Sequence, residues 1–120
     1  MRPRMKLYLD GPGGGTFGEG VCRLLEAIAA EGSIREAARL LGRGYRKAWG
    51  DIDRAEEAFG RRLVSKSRGG SSGGATELTP FGRELVAAWE RFSGEAAAGM
   101  EEAFERHLGA IIEGGNRDER

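Results

Sequence analysis

Few side chains in this sequence could carry out covalent or metal chemistry. Cys22 is the only cysteine and His107 the only histidine among 120 residues. One cysteine cannot form an internal disulfide, which fits a reducing cytoplasm. The pair cannot assemble a Cys/His zinc site, and the two residues lie on distant segments, which argues against a Cys–His nucleophile. We therefore expect a cytoplasmic protein that is not an enzyme, with no metal and no cofactor.

The glycines Gly13, Gly15 and Gly18 have the G-x-G-x-x-G spacing of a dinucleotide-binding loop. Such a loop needs a second parallel strand with an acidic residue at its end, about 20 residues further on. The sequence instead continues into a capped helix beginning at Ser33, with no strand rich in Val or Ile. No Gly-Lys-Ser/Thr follows the glycines, so a phosphate loop of the Walker A type is excluded as well.

Charge is unevenly distributed along a chain whose formal net charge is zero. Residues 33–70 contain ten basic and five acidic side chains, whereas residues 84–120 contain nine acidic and four basic ones. This asymmetry is expected when one part of a protein binds a polyanion and another part has a different task. No apolar run approaches the roughly 18 residues that a membrane span needs, so we expect no membrane partner.

The N-terminal part is predicted to form one strand and one helix. Residues 4–10 alternate apolar and polar side chains, which is typical of a short half-exposed strand, and the glycine-rich residues 11–15 end it. A helix follows, and Gly32 supplies its left-handed C-terminal stop. The apolar residues at the spacing of one helix face are Val21, Leu24, Leu25 and Ile28.

Two further helices joined by a glycine-containing turn follow. Ser33 is a good N-cap for the first, and Glu36 stands three residues later, as in a capping box. Ala37 and Ala38 permit a close crossing, and Gly42 permits the turn. The next helix is predicted over residues 45–59. This arrangement indicates a helix-turn-helix.

The C-terminal half is predicted to add a two-stranded wing and a long helix. Strands are expected at residues 63–67 and 77–79, with a glycine- and serine-rich hairpin loop between them. Thr79 as N-cap and Pro80 at the first position open the long helix. The predicted fold is therefore mainly α with a small β wing. It comprises a winged helix-turn-helix domain (residues 1–80), a long dimerisation helix (80–113) and a polar tail (114–120).

Cationic side chains cluster where a helix-turn-helix meets the major groove of duplex DNA, at the start of its second helix. Arginine can pair with guanine, lysine can reach a base or a phosphate, and a tyrosine hydroxyl can bind phosphate. A helix N-terminus and a cationic wing can also bind the DNA backbone. The predicted DNA-binding residues are Ser33, Arg43, Tyr45, Arg46, Lys47, Lys66 and Arg68.

Other interpretations apply to some neighbours of this cluster. Tyr45 begins the apolar stripe of its helix and could equally be part of the core, and Trp49 is expected in the core one turn later. Arg35 and Arg39 are expected to be solvated helix charges.

The apolar stripe of the last helix runs for about thirty residues, more than a domain this small can cover. We therefore expect self-association through this helix. The residues expected at the dimer interface are Leu85, Trp89, Phe92, Met100, Phe104 and Leu108.

Several separated segments together resemble the N-terminal DNA-binding domain of ModE-type molybdate-responsive regulators, relatives of LysR-type winged-helix domains. The resemblance covers roughly residues 5–92, and the segments that carry it are residues 32–38, 45–49, 63–64, 69–70, 73–75 and 78–82. It implies a homodimer on a palindromic site, formed through the N-terminal strand region and the last helix. In the family, Tyr45, Arg46 and Lys47 correspond to the opening of the recognition helix, while Gly44 replaces the usual serine and removes one hydroxyl.

Full-length members of that family carry oxyanion-binding domains after this helix. Only about 28 residues follow Phe92 in this sequence. Molybdate or tungstate sensing by this chain alone is therefore not expected.

Two other functions fit parts of the sequence. A protein–protein interaction module would use the long apolar stripe as its working surface, with the winged domain as a scaffold. An architectural DNA binder would show weak sequence preference and a steep dependence on salt. Comparing binding to duplex DNA with binding to a partner protein distinguishes the first alternative from a sequence-specific regulator.

Overall fold

A computed structural model describes residues 1–66 and 75–118, with side chains described as far as residue 114. It confirms a winged helix-turn-helix architecture with a long C-terminal helix. The chain divides into two compact units, Leu7–Trp89 and Met1–Lys6 with Glu90–Arg120. The elements are β1 (Tyr8–Asp10), β2 (Thr16–Gly18), α1 (Glu19–Glu31), α2 (Ile34–Leu40), α3 (Tyr45–Phe59), β3 (Val64–Lys66), β4 (Thr76–Leu78), α4 (Pro80–Phe104) and α5 (Ala110–Asp118).

An N-terminal hairpin, in which β1 pairs antiparallel with β2, opens the first unit. Only the end of the predicted strand at residues 4–10 is a strand, and β2 was not predicted. The hairpin packs against α3, where a Cβ atom added at Gly15 would lie 2.8 Å from the Cβ of Ala58. Phe17, opposite Leu9 in the register, is fully buried and fixes β2 to the core. Gly11 and Gly15 permit this close packing, whereas Gly13 and Gly14 adopt positive φ values of 75° and 82° in the turn.

Helices α1, α2 and α3 enclose the core of the first unit. The predicted apolar face of α1 is confirmed for Leu24, Leu25 and Ile28, which are fully buried, whereas Val21 is only partly buried. Gly32 ends α1 in the left-handed conformation, as predicted. The small residues at the helix crossings let the backbones approach closely, and all of them are buried: Ala37, Ala38, Ala48 and Ala55.

The wing consists of β3 and β4, which pair antiparallel with Val64 opposite Leu78. Both of these side chains are buried, while Lys66 at the end of β3 is exposed. The backbone N–H of Thr76 donates to the carbonyl of Gly32 at 2.9 Å, which attaches β4 to the end of α1. The wing therefore starts from a fixed position beside the helix-turn-helix.

Helix α4 begins at the cap predicted from sequence. The Thr79 hydroxyl oxygen accepts from the backbone N–H of Gly82 at 2.9 Å and donates to the Arg62 carbonyl at 2.8 Å. The first turns of α4 belong to an aromatic cluster in which edge-on ring pairs connect the hairpin, α3 and α4. These pairs are Phe17–Phe59, Phe17–Trp89 and Phe59–Phe81, with centroids 5.3–5.7 Å apart.

The second unit contains the remainder of α4 and α5, joined by a π-helical turn at Glu105–Gly109. Helical structure continues to Asp118, five residues beyond the predicted end of the long helix. In the part of the chain that the structure describes, no helix is long and apolar enough to cross a membrane.

Candidate DNA-binding surface

The helix-turn-helix is formed by α2, a turn and α3. The Ser33 hydroxyl caps α2 by accepting from the backbone N–H of Glu36 at 2.9 Å, as the capping-box spacing predicts. Gly42 occupies the turn with φ of +67°, a conformation that favours glycine. Because Ala37 and Ala48 are fully buried, the two helices pack closely and α3 has a defined direction.

The first turn of α3 presents Arg46 and Lys47 to solvent, as predicted. Among the residues that the structure describes, no carboxylate pairs with Arg46. Lys47 is 68% exposed, and its Nζ lies 3.2 and 3.3 Å from the two carboxylate oxygens of Asp51, one turn along the helix. Arg46 therefore presents its full charge to an incoming anion, whereas Lys47 shares its charge with Asp51.

Arg43 is placed differently from the expectation that it contacts DNA. Its side chain is only 24% exposed, and one guanidinium nitrogen donates to the Gly20 carbonyl at 3.1 Å. The other lies 3.8 Å from Asp51. Arg43 thus connects the start of α1 to α3, because its donors are directed at the protein.

Asp51 is the acidic centre of this surface, and it was not among the residues predicted for the site. Its carboxylate is 13% exposed and pairs with Arg54 at 2.7 Å, in addition to Lys47 and Arg43. The spacing of three and four residues along α3 could have indicated two of these pairs. The pair with Arg43 depends on the tertiary fold.

Arg35 and Lys66 lie over aromatic rings instead of beside carboxylates. The guanidinium of Arg35, on α2, lies over the ring of Tyr45 at 4.3 Å from the centroid. The indole N–H of Trp49 donates to the Tyr45 hydroxyl at 2.8 Å, and Lys66 lies 5.2 Å from the Trp49 ring centroid. We refer to these four residues as the cation–aromatic row. Tyr45 and Trp49 are both partly buried, so the expectation that Trp49 is a core residue is only half met, and Arg35 is more than a solvated charge.

Glu56 attaches the wing to α3. Its carboxylate oxygen accepts from the backbone N–H groups of Leu63 at 2.7 Å and Val64 at 3.2 Å, and from Arg62 at 3.3 Å. This side chain is 10% exposed. One carboxylate, that of Glu56, therefore holds the start of the wing against α3. The other predicted wing residue, Arg68, lies outside the described residues.

The residues predicted for a dimer interface fall into two groups. Leu85 is partly buried against the core of the first unit, and Trp89 is 3% exposed inside it, with its indole N–H donating to Glu19 at 3.2 Å. Trp89, predicted at the dimer interface, therefore lies in the core of the first unit. The remaining four belong to the second unit, where Met100 and Phe104 are partly exposed and Phe92 and Leu108 about half exposed.

The described part of the chain offers no clustered set of metal ligands. The structure contains no group of three or more His, Cys, Asp or Glu side chains there that could hold a metal ion. Cys22 is buried within α1. The surface suited to binding is the cationic one around the first turn of α3.

Fold and surface together define a winged helix-turn-helix DNA-binding domain of the kind used by transcriptional regulators. Residues 21–83 match the family described as "Bacterial regulatory helix-turn-helix protein, lysR family". The chain belongs to this family, whose matched segment runs from α1 to the first turn of α4.

Similar proteins refine the assignment. The chain is 36% identical over 101 residues to the "Molybdenum transport protein ModE" of Azotobacter vinelandii, covering 84% of this chain and 37% of that protein. It is 35% identical over 109 residues to the "Molybdenum-pterin-binding protein MopA" of Rhodobacter capsulatus, covering 91% and 38%. The "DNA-binding transcriptional dual regulator ModE" of Escherichia coli K12 is 36% identical over 63 residues, 52% of this chain and 24% of that protein.

These similarities confirm the resemblance to ModE-type regulators seen in the sequence. The chain spans a little over a third of the length of the first two relatives. What the similarity covers is thus the helix-turn-helix part of such regulators.

Proposed function

We propose that this chain binds duplex DNA in a sequence-specific manner, as a homodimer that regulates transcription. The observation that carries the proposal is the exposed first turn of α3, the second helix of the helix-turn-helix, with Arg46 free of any described carboxylate. Such a helix enters the major groove with its N-terminal residues against base edges. Arg46 is placed to pair with a guanine, and Lys47 to bind a base or a phosphate.

The wing and α2 supply backbone contacts in this proposal. Lys66 at the end of β3 is exposed and lies beside the same face of α3, since it contacts the Trp49 ring. The Ser33 cap orients the first turn of α2. Arg68, two residues after Lys66 in the sequence, adds a further cation to the same segment.

Replacement of Arg46 by alanine tests base recognition. A bidentate arginine–guanine contact contributes about 1–3 kcal/mol of discrimination, so Arg46→Ala should weaken operator binding and relax sequence preference. The operator is first selected from a random duplex pool, with and without molybdate or tungstate, and affinities are then measured by fluorescence anisotropy. Equal losses on operator and random duplexes would assign Arg46 to a phosphate instead.

The homodimer is proposed to form through the second unit. Leu108 is 49% exposed and Ile111 is 69% exposed, and they continue the face that carries Met100 and Phe104. Large apolar side chains exposed along one helix are typical of interaction sites. A symmetric dimer of this kind would place two recognition helices in successive major grooves about 34 Å apart, on a palindromic operator.

Sedimentation at micromolar concentration tests the dimer. The unchanged protein should sediment as a dimer, and Leu108→Glu should shift it to monomer because a carboxylate would be buried in the interface. His107→Glu, at the exposed neighbouring position, is the matched control and should remain dimeric. A monomeric wild-type protein at this concentration would refute the proposed dimer while leaving DNA binding to be measured independently.

A further inference from the structure

The cation–aromatic row differs chemically from the ion-paired cations on the same surface. Arg39, Lys47 and Arg54 are paired with carboxylates at 2.7–3.2 Å. A carboxylate partner lowers the net positive charge that a phosphate encounters and must be displaced before the cation can bind. Arg35 and Lys66 lie on aromatic rings instead, and no described carboxylate pairs with either.

An aromatic ring orients a cation without neutralising it. The attraction comes from the negative face of the ring, which carries no net charge. The ring also limits the rotamers of a long side chain, so less conformational entropy remains to be lost on binding. Arg35 and Lys66 are thus held in place with their charge intact.

The hydroxyl of Tyr45 is directed by its neighbour. Its oxygen already accepts the indole N–H of Trp49 at 2.8 Å. Since a phenol has one hydrogen to donate, this contact leaves the Tyr45 O–H available as a donor to another acceptor. A phosphate oxygen on the duplex backbone is such an acceptor, and it meets a donor whose geometry is already set.

We propose that the row is one phosphate-binding site: Arg35, Tyr45 and Lys66 contact phosphates of the bound duplex, and Trp49 is a positioning residue that orients Tyr45 and Lys66. This inference rests on the proposed function, because it assumes that α3 faces duplex DNA. It adds a contact from α2, by Arg35, and a role for Trp49. The row brings together residues from α2, α3 and β3, so it would fix the domain on the backbone at both sides of the recognition helix.

A pair of arginines on α2 provides a matched test of the contact. Arg35→Gln and Arg39→Gln make the same change four residues apart, one on a ring and one beside Glu36. Arg35→Gln should weaken binding to operator and random duplexes alike, by about three- to tenfold. The slope of log K against log salt should become shallower by about 0.9, the value for one lost phosphate contact. Arg39→Gln should change affinity by no more than about twofold, since exposed ion pairs have small effects.

A double-mutant cycle tests the positioning role of Trp49. Trp49→Phe keeps a ring for Lys66 and removes the N–H, while Tyr45→Phe keeps a ring for Arg35 and removes the hydroxyl. If the N–H directs the hydroxyl, each variant weakens duplex binding by a similar factor and the double variant binds no more weakly than Tyr45→Phe alone. Thermal unfolding of all four proteins checks that they are folded.

The possible outcomes separate this inference from the proposed function. Wild-type protein that binds no duplex refutes both. Wild-type protein that binds duplex, with Arg35→Gln and Arg39→Gln indistinguishable, refutes the row as a phosphate site and leaves the regulator function intact. Additive losses in the cycle, or none, refute the positioning of Tyr45 by Trp49.

Discussion

Replacing Asp51 by asparagine is expected to weaken the fold and tighten DNA binding in the same protein. The Asp51 carboxylate is 13% exposed and lies within 4 Å of Lys47, Arg54 and Arg43. Helix ion pairs at three- and four-residue spacing contribute about 0.3–0.5 kcal/mol each. Losing the Lys47 and Arg54 pairs should therefore reduce the free energy of unfolding by about 0.6–1 kcal/mol, which lowers Tm by about 2–8 °C in a domain of this size.

DNA binding should change in the opposite direction. Lys47 contacts both oxygens of the Asp51 carboxylate, so a phosphate must compete with that carboxylate for its charge. Asparagine is uncharged and removes the competition. The slope of log K against log salt should then steepen by up to about 0.9, and Kd should fall about three- to tenfold. Random duplexes should gain as much as the operator, because the added contact is to the backbone.

Asp53→Asn is the matched control for this experiment. Asp53 is exposed on the same helix, and no cation pairs with it among the described residues. The variant makes the same change in net charge but removes no contact. Anisotropy titrations at several salt concentrations, with thermal unfolding in parallel, measure both effects. The reasoning fails if Asp51→Asn loses DNA affinity along with Tm, or if Asp53→Asn tightens binding equally.

Two further predictions concern α4. Gly82→Ala should destabilise the fold by about 1–3 kcal/mol, because an added Cβ would overlap the Leu63 carbonyl oxygen. A Cβ added at Gly94 meets nothing within 4 Å, so Gly94→Ala should raise the free energy of unfolding by about 0.5–1 kcal/mol through helix propensity. Chemical denaturation compares the two variants. A gain in stability for Gly82→Ala would contradict the close packing at that position. Trp89→Ala should cost about 3–5 kcal/mol of stability because it empties a core site. Trp89→Phe should cost less, since it keeps an aromatic ring in the core site while losing the extra volume of the indole and the hydrogen bond to Glu19. Denaturation curves and sedimentation together would show whether either variant affects association instead of folding.

The helices of the first unit were readable from the sequence because their signals are local. Apolar residues at helical spacing, Ser33 with Glu36, and Thr79 with Pro80 each determine structure within a few residues. Helix α3 spans Tyr45–Phe59, the range predicted, for the same reason.

The N-terminal hairpin could not be predicted in this way. Residues 11–18 contain five glycines and a single large apolar residue, Phe17, so no alternation marks β2. The strand forms because Phe17 is buried beside Phe59 and Trp89, and because Gly11 and Gly15 allow the turn to lie on Ala58. These partners lie forty or more residues away along the chain.

On the candidate surface, too, the features set by local sequence were predictable, whereas those set by the tertiary fold were not. The sequence identified the basic residues at the start of α3 but not the partners that decide which of them can meet DNA. Lys47 and Asp51 are one helical turn apart, and their pairing follows from spacing. Arg43 donates to Gly20 across 23 residues, and only the packing of α1 on α3 creates that contact.

The chain's two tryptophans lie in opposite surroundings, and this gives the protein a built-in pair of optical reporters. The Trp89 indole is buried and packs edge-on against Phe17, so its emission should shift only when the chain unfolds. The Trp49 indole touches a lysine and a tyrosine hydroxyl on the cationic face, so an arriving duplex should quench it while leaving Trp89 unchanged. Replacing either tryptophan with phenylalanine would isolate the other signal and allow titration and melting to be followed in unlabelled protein.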